Sequence, residues 1–269
     1  VNDAIYYYSL WNGDYPYSIL QAVDGTISAG GGMEYPTITN IGNVESDISL
    51  ETVIMHEVGH NWFYGILGSN EREHPWQDEG MNSATELRYL QRKYPELTLP
   101  QALGFSFMAK FAGIDSLKQK MQYYLAYKFA ATSNDDQVIE GKAKDFTSAN
   151  YGFIVYMKSA ASFNFLRAYL GDELYDQCMR SYYHAWRFKH PQPKDLRLVF
   201  ERAAKKDLSW FFDGILNSNK IIDYKIKKKK KPDTKSSVTY GWMKYEEGVE
   251  IKNKGGIAAP IFVVGYRND

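Results

Sequence analysis

The sequence predicts an α+β chain, mostly helical after a small N-terminal sheet and closing on strands. Three observations predict it. Apolar residues recur with a helical period from about Ser49 to Leu216. Short runs broken by Gly and Pro precede that stretch. After Asn219 the pattern turns to short strands separated by Glu-Gly and Gly-Gly turns. The chain has 269 residues, enough for one sizeable core. Lys and Arg number 32 against 32 Asp and Glu, which excludes a global basic field for nucleic acid.

The elements follow in order. Residues 3–11 read as the end of a helix ringed by Tyr6, Tyr7 and Tyr8 and broken by Gly13 and Pro16. Residues 18–23 read as a short strand and Asp24-Gly25 as a turn. The run Gly30-Gly31-Gly32 leads into Met33-Glu34-Tyr35-Pro36, and residues 37–41 read as an edge strand. Leu50, Val53, Ile54, Val58 and Trp62 place a buried helix through about Tyr64, with Ser46 or Ser49 as its N-cap. A loop with Gly68, Asn70 and Pro75 follows, then a helix over residues 78–93 that stops before Pro95. Helical periods mark residues 99–112, 114–130, 149–170, 171–185, 194–204 and 208–216, with a polar loop over 132–147. Residues 224–231 read as a strand ending in lysines, which discourage edge pairing. Residues 238–245, 249–252 and 258–266 read as strands, so 1–224 is expected as one domain and 225–269 as the start of a second, truncated β domain.

The lone cysteine, Cys178, excludes an internal disulfide and reads as a packed helical residue. It leaves the compartment open, exported or periplasmic locations included. The longest apolar run, 257–264, is interrupted by Pro260 and is far short of a membrane span. No signal peptide is visible, and an opening Val rather than Met reads as a piece of a longer protein.

The chemistry concentrates at His56-Glu57-Val58-Gly59-His60. On a helix, four residues rise about 6 Å and turn about 400°. Both imidazoles therefore leave one face, a turn apart, and offer two neutral nitrogens to one metal. Glu57 projects beside the metal and can take a proton from water. The apolar flanks bury this helix, and burying two histidines and a glutamate without partners would be costly. A catalytic zinc wants a third ligand. Glu79, in Trp76-Gln77-Asp78-Glu79-Gly80, follows His60 with eighteen residues between them, a length that a two-helix hairpin can return to the first helix. Glu86 falls on the same helix face as Glu79 and is placed to hold a ligand histidine by its second nitrogen. His74, His184 and His190 lack ligand spacing and read as structural.

This constellation resembles the aminopeptidase N-type gluzincins, the membrane alanyl aminopeptidase family. Thermolysin-like endopeptidases carry one more residue in the gap before the glutamate ligand. Gly31-Gly32-Met33-Glu34-Tyr35 resembles the family's G-x-M-E-N exopeptidase motif, and Tyr156-Met157-Lys158-Ser159 its Y-x-K-G segment. Residues 183–212 are similar to the helical end of its catalytic domain, and the tail to the start of its β-sandwich domain. Tyr35 and Ser159 depart from the motifs' Asn and Gly, and both are expected to reshape the pocket for the first substrate residue.

The resemblance implies a thermolysin-like zincin fold with one Zn2+ per chain, held by His56, His60 and Glu79. It implies Glu57 as the base and Tyr156 as donor to the oxyanion, a contact worth about 3 kcal/mol. Glu34 would bind the α-ammonium of a peptide with a free N-terminus, worth ~2–5 kcal/mol. Gly31, Gly32, Met33 and Tyr151 would line the cleft. The implied activity is zinc-dependent removal of the N-terminal residue. The family's flanking domains are incomplete here, so the chain is expected to bind zinc but to turn over poorly. Two other readings stay open: a zinc endopeptidase, in which Glu34 loses its meaning, and a non-catalytic peptide-binding module that retains the metal. A lipid-epoxide side activity also stays open.

Overall fold

A computed structural model describes the chain except residues 28–30, 45, 103–108, 111–112, 133–135, 231–237, 241–242, 246–247 and 263–269. It divides into two units, Val1–Leu208 and Ser209–Asp269.

The first unit opens with helix α1 (Asn2–Asn12), followed by strands β1 (Gln21–Asp24), β2 (Gly32–Met33) and β3 (Ile38–Ile41). The sheet order is β1-β3-β2, with β3 parallel to β1 and antiparallel to β2. Among the described strands β3 is therefore central and not the expected edge. Its weak alternation hid this, because the inward position between Ile38 and Ile41 is the polar Thr39, fully buried with its hydroxyl donating to Met33 O.

Helix α2 (Asp47–Gly59) starts at Ser46, whose Oγ accepts from Ser49 N at 3.1 Å. It ends five residues earlier than its apolar period suggests. Trp62, Phe63, Ile66 and Leu67 are buried, but on a chain of tight turns. Tyr64 there takes φ 84°, a left-handed conformation that a helix cannot continue through. Asn61 fixes the exit: its Nδ2 donates to Val58 O at 2.9 Å and its Oδ1 accepts from Thr37 N at 2.9 Å.

Helix α3 (Met81–Lys93) is entered through one π-helical turn, Trp76–Gly80, where the sequence reads a plain helix start. It crosses α2 at Gly59, where a Cβ would collide with Asn82 Oδ1 and the Tyr8 hydroxyl. Those two groups are themselves hydrogen-bonded, and Asn82 Nδ2 donates to His56 O at 2.7 Å. The helix bearing the histidines is thus locked to the helix that follows Glu79.

Helix α4 (Met121–Thr132) begins later than expected, because residues 117–119 pair with residues 97–99: Gln119 N donates to Leu97 O and Leu99 N to Leu117 O. The expected helix 99–112 is described at Leu99–Ala102 and at residues 109–110, and residues 103–108 and 111–112 of that expectation lie outside the described residues. The expected helix 149–170 is a π-helical stretch, Tyr151–Lys158, running into α5 (Ser159–Leu170). Helices α6 (Asp172–Trp186) and α7 (Pro193–Ala204) pack on each other. Pro193 opens α7, with Gln192 and Asp195 capping reciprocally.

Asp3 on α1 and Glu51 on α2 both accept from Lys93 Nζ on α3, at 2.7 and 2.6 Å. The lysine contact holds the Asp3 carboxyl below its ordinary value of 3.8. Burial raises Glu51, but hydrogen bonds from Lys93, Tyr89 and Tyr94 outweigh it and hold it below 4.5. Depressed carboxyl pKa values contribute stability in full above the unfolded values, and lose it as pH falls through the lower folded ones. Lys93→Met is therefore expected to cost about 1 kcal/mol at pH 7, a figure that allows for solvent screening. Urea denaturation should show the gap between variant and parent closing as pH falls through the lowered carboxyl values; a gap independent of pH would show that the tie is not ionic.

The second unit holds a π-helical turn, Trp210–Leu216, and strands β4 (Tyr224–Lys230), β5 (Val238–Tyr240), β6 (Met243–Tyr245) and β7 (Gly248–Asn253). β4 pairs antiparallel with β7, with a register shift between Ile226 and Lys228, and β5 pairs antiparallel with β6. The expected single strand 238–245 is thus two strands. Residues 258–262 form no strand, and the rest of the expected strand 258–266 lies outside the described residues. No helix among the described residues is long and apolar enough to cross a membrane.

Candidate metal centre

The last turn of α2 and the π-helical turn before α3 bring three donors to one point. His56 Nε2 and His60 Nε2 lie 3.1 Å apart. Glu79 Oε2 lies 3.0 Å from the first and 3.3 Å from the second. Ligands bound at about 2.0–2.1 Å in a tetrahedron are separated by roughly 3.3 Å, so the donors already stand at zinc-like spacing.

The far side of each imidazole explains why the spacing is meaningful. His56 Nδ1 lies 3.0 Å from Glu86 Oε2, and Glu86 Oε1 accepts from the Tyr123 hydroxyl at 2.5 Å. His60 Nδ1 lies 2.6 Å from Asp78 Oδ1. Carboxylates at Nδ1 favour the tautomer that leaves the Nε2 lone pair free. Two such lone pairs and a carboxylate oxygen then face each other, an arrangement that suits a cation between them. The acid–base character agrees. Burial lowers the affinity of His56 for a proton, but Glu79 and Glu86 outweigh it and push its pKa up to about 10. His60 is raised well above its usual value against burial by Asp78 and Glu79. The same two histidines hold Glu79 well below the carboxylate range although burial opposes them. This donor set fits a zinc ion.

Beside the donors lies Glu57, only 7% exposed, whose Oε2 has no hydrogen-bond partner among the described residues. Burial pushes its carboxyl up to about 7, opposed by His56 and His60 and helped by Glu34 and Glu79. Strand β2 lies against it. A Cβ on Gly32 would collide with the Glu57 carboxylate, so only glycine lets the strand come this close. Gly31 supplies the turn into the strand at φ 66°, and its carbonyl accepts from Gly42 N at 2.7 Å. Met33 is held in register with Asn40, and directly after it the Glu34 carboxylate comes within 4.8 Å of both Glu57 and His60. Tyr35 is 53% exposed.

Tyr156 also borders the donors. Its ring stacks on His56 at 5.8 Å between centroids, and its hydroxyl lies against Glu79. Burial, then the charge of Glu79, raises its pKa far beyond the phenol range, so it stays a donor. Tyr151 packs edge-on against Tyr156 at 5.8 Å, its own pKa raised by burial and by Glu79.

The model of the Peptidase family M1 domain matches residues 6–215. The chain belongs to peptidase family M1. Aminopeptidase Q of Mus musculus is 23% identical over 146 residues, covering 54% of the chain and 24% of that protein. Aminopeptidase N of Mus musculus is 26% identical over 157 residues, 58% of the chain and 15% of that protein. The chain thus spans about a quarter or less of these relatives. An M1 zinc metallopeptidase from Deinococcus radiodurans shares the fold, with TM-score 0.56 at 16% identity over 80% of the chain and 42% of that structure. So does an aminopeptidase A from Legionella pneumophila, with TM-score 0.60 at 13% identity over 84% of the chain and 25% of that structure. Zinc is the metal of this family, and the donors described above accept it.

Four residues of this M1 chain escaped the sequence reading. Asp78 and Tyr123 brace the imidazoles, the first directly and the second through Glu86. Glu140 accepts from the Trp76 indole and pairs with His74 Nδ1, fixing the loop that leads into the ligand turn. Asp136 pairs with the buried Lys158 at 2.7 Å, at the end of the π-helical stretch that carries Tyr156. The segment 136–146 therefore ties the Glu79 turn to the Tyr156 helix. Ser159 is fully buried, its Oγ donating to Ile154 O, and it packs against Gly80. Its departure from glycine lies in the packing between the ligand turn and the tyrosine helix. Of the remaining histidines, His190 Nδ1 meets Gly68 O at 2.9 Å and His184 packs edge-on against Tyr183. Cys178 is fully buried.

Proposed function

We propose that this chain is the catalytic segment of a zinc-dependent aminopeptidase that releases the N-terminal residue of peptides. The observation that carries the reading is the closeness of Glu34 to the metal centre, within 4.8 Å of the ligand His60 and of the base Glu57. The α-nitrogen of a peptide lies roughly 2.5 Å from its first carbonyl carbon. A carboxylate this close to the metal centre can hold that ammonium only when the scissile bond is the first one. An endopeptidase needs no anion at that place.

When bound, zinc supplies Lewis acidity, acidifying a water and polarising the scissile carbonyl. The residues of the chain do the rest. His56, His60 and Glu79 hold the ion. Glu57 accepts the water proton at its buried carboxylate and returns it to the leaving nitrogen. The Tyr156 hydroxyl donates to the oxygen on which charge develops, worth about 3 kcal/mol. Glu34 meets the ammonium, with Gly31, Gly32, Met33 and Tyr151 around it. Glu86 holds the His56 ring in place. Residues 225–269 are the first strands of a β-sandwich in this reading, supported by the antiparallel β4–β7 and β5–β6 pairs.

The test compares an aminoacyl-arylamide with its N-acetylated form on the zinc-loaded chain. Loss of a charge pair worth ~2–5 kcal/mol predicts hydrolysis of the blocked substrate at least ~30-fold slower in kcat/KM. Equal rates would remove the aminopeptidase reading and favour an endopeptidase.

A further inference from the structure

We infer that the cavity between α1, α3 and α5 is a binding site for a small phosphate monoester that carries an aromatic ring. The cavity measures about 470 Å³, a size usual for small-molecule sites. Arg88 and Arg92 on α3 and Arg167 on α5 supply its charge. Tyr6, Tyr7 and Trp11 on α1 form its aromatic wall. Arg88 comes two positions after Glu86, which turns it about 200° round the helix. Glu86 faces His56, so the cavity lies on the far face of α3 from the metal centre.

The chain leaves this charge incompletely matched. The Arg167 side chain is only 16% exposed, yet its close partners are neutral: Nη2 donates to Gln91 Oε1 at 3.0 Å and to Asn164 Oδ1 at 2.8 Å. Its carboxylate neighbour Asp172 stands 3.8 Å from Nε, beyond hydrogen-bond length, and the aspartate side chain is 67% exposed. Arg88 is gripped by both Asp176 oxygens and lies over the Trp11 ring at 4.2 Å, but it meets the same Asp172 only at 3.6 Å. Arg88 and Arg167 thus share one closely bound carboxylate. Burial, and then the charge of Arg88, hold the Arg167 guanidinium below its ordinary value, the mark of two cations close together. Arg92 adds a third cation at the exposed rim. With Asp172 swung out into water, the three arginines face a ligand against Asp176 alone. A phosphate monoester carries about −1.5 to −2 charge at pH 7 and matches that surplus, and its oxygens suit the planar fork of arginine. A carboxylate would leave part of the surplus unpaired. Tyr6, 61% exposed, stands edge-on to Tyr7 at 5.1 Å between centroids, a wall able to receive a ring attached to the phosphate.

Calorimetric titration of the full chain, zinc-free and zinc-loaded, tests the site with phenyl phosphate, inorganic phosphate and benzoate. Phenyl phosphate is expected to bind at least about tenfold tighter than either of the others, and equally with and without zinc. Benzoate or inorganic phosphate binding as tightly overturns the ligand class, and binding that needs zinc places the ester at the metal and overturns the site. Adenosine 5′-monophosphate and N-acetyl-phosphotyrosine separate the two sources of such a group. Either one binding tighter than inorganic phosphate supports the site, and the tighter names the source; neither doing so overturns it. Arg167→Gln should weaken phenyl phosphate at least about tenfold. Arg92→Gln and Asp172→Asn change exposed side chains, so they carry the test even where Arg167→Gln fails to fold. The first should weaken binding about threefold, and the second should tighten it about threefold because the competing carboxylate is gone. Unchanged affinity in Arg92→Gln, or affinity unchanged or weakened in Asp172→Asn, overturns the proposal.

Discussion

Replacing Glu57 with Gln is expected to lower kcat by about 10²–10⁴-fold while the protein keeps its zinc. The geometry separates the two properties. His56, His60 and Glu79 supply the three donors at 3.0–3.3 Å from one another, and Glu57 is not among them. Gln has the shape of Glu, so the close approach of Gly32 is preserved. What is lost is a buried carboxylate with an unpartnered oxygen, placed to accept a proton. Metal analysis and steady-state kinetics on the same preparation check both halves. Unchanged kcat would strip Glu57 of its role. Lost zinc would mean that the carboxylate charge helps hold the ion, and the assignment of three ligands would need revision.

How much of this centre was legible depended on how local each relationship is. His56, Glu57 and His60 sit within one helical turn, so spacing alone fixes their common face. Glu86 follows Glu79 by two turns, and the structure places it on His56 Nδ1. Asp78 was invisible for a physical reason. It precedes Glu79 directly, and neighbours on an α-helix point about 100° apart, so both should not serve adjacent histidines. The π-helical turn Trp76–Gly80 changes that geometry, and no composition signal announces it. Asp136 and Glu140 lie in a segment with no period, and their importance comes from partners up to 66 residues away. The fold shows the same division. The cap at Ser46 was readable, whereas the end of α2 was not, because Trp62 and its neighbours are as apolar as a helix face while packing as turns. The central place of β3 depends on which strands flank it, a property of the sheet and not of the strand.

The segment 136–146 also sets the second large effect. Asp136→Ala is expected to destabilise the chain by about 3–5 kcal/mol. The Lys158 side chain is 7% exposed and that of Asp136 13%, with Nζ bonded to both carboxylate oxygens at 2.7 and 3.0 Å and to Gln137 O at 3.0 Å. Burial pulls the lysine pKa down even against Asp136. Removing the aspartate strands a cation there. Chemical denaturation should read the full loss, and melting should fall by about 6–20 °C for a domain of this size. A loss below about 1 kcal/mol would mean that water screens the pair. Asp136→Leu combined with Lys158→Met should recover most of the stability, because the desolvation cost leaves with the charges. If the pair also positions Tyr156, the double variant will stay impaired in kcat after its stability returns. If it serves only to stabilise, kcat will return with it.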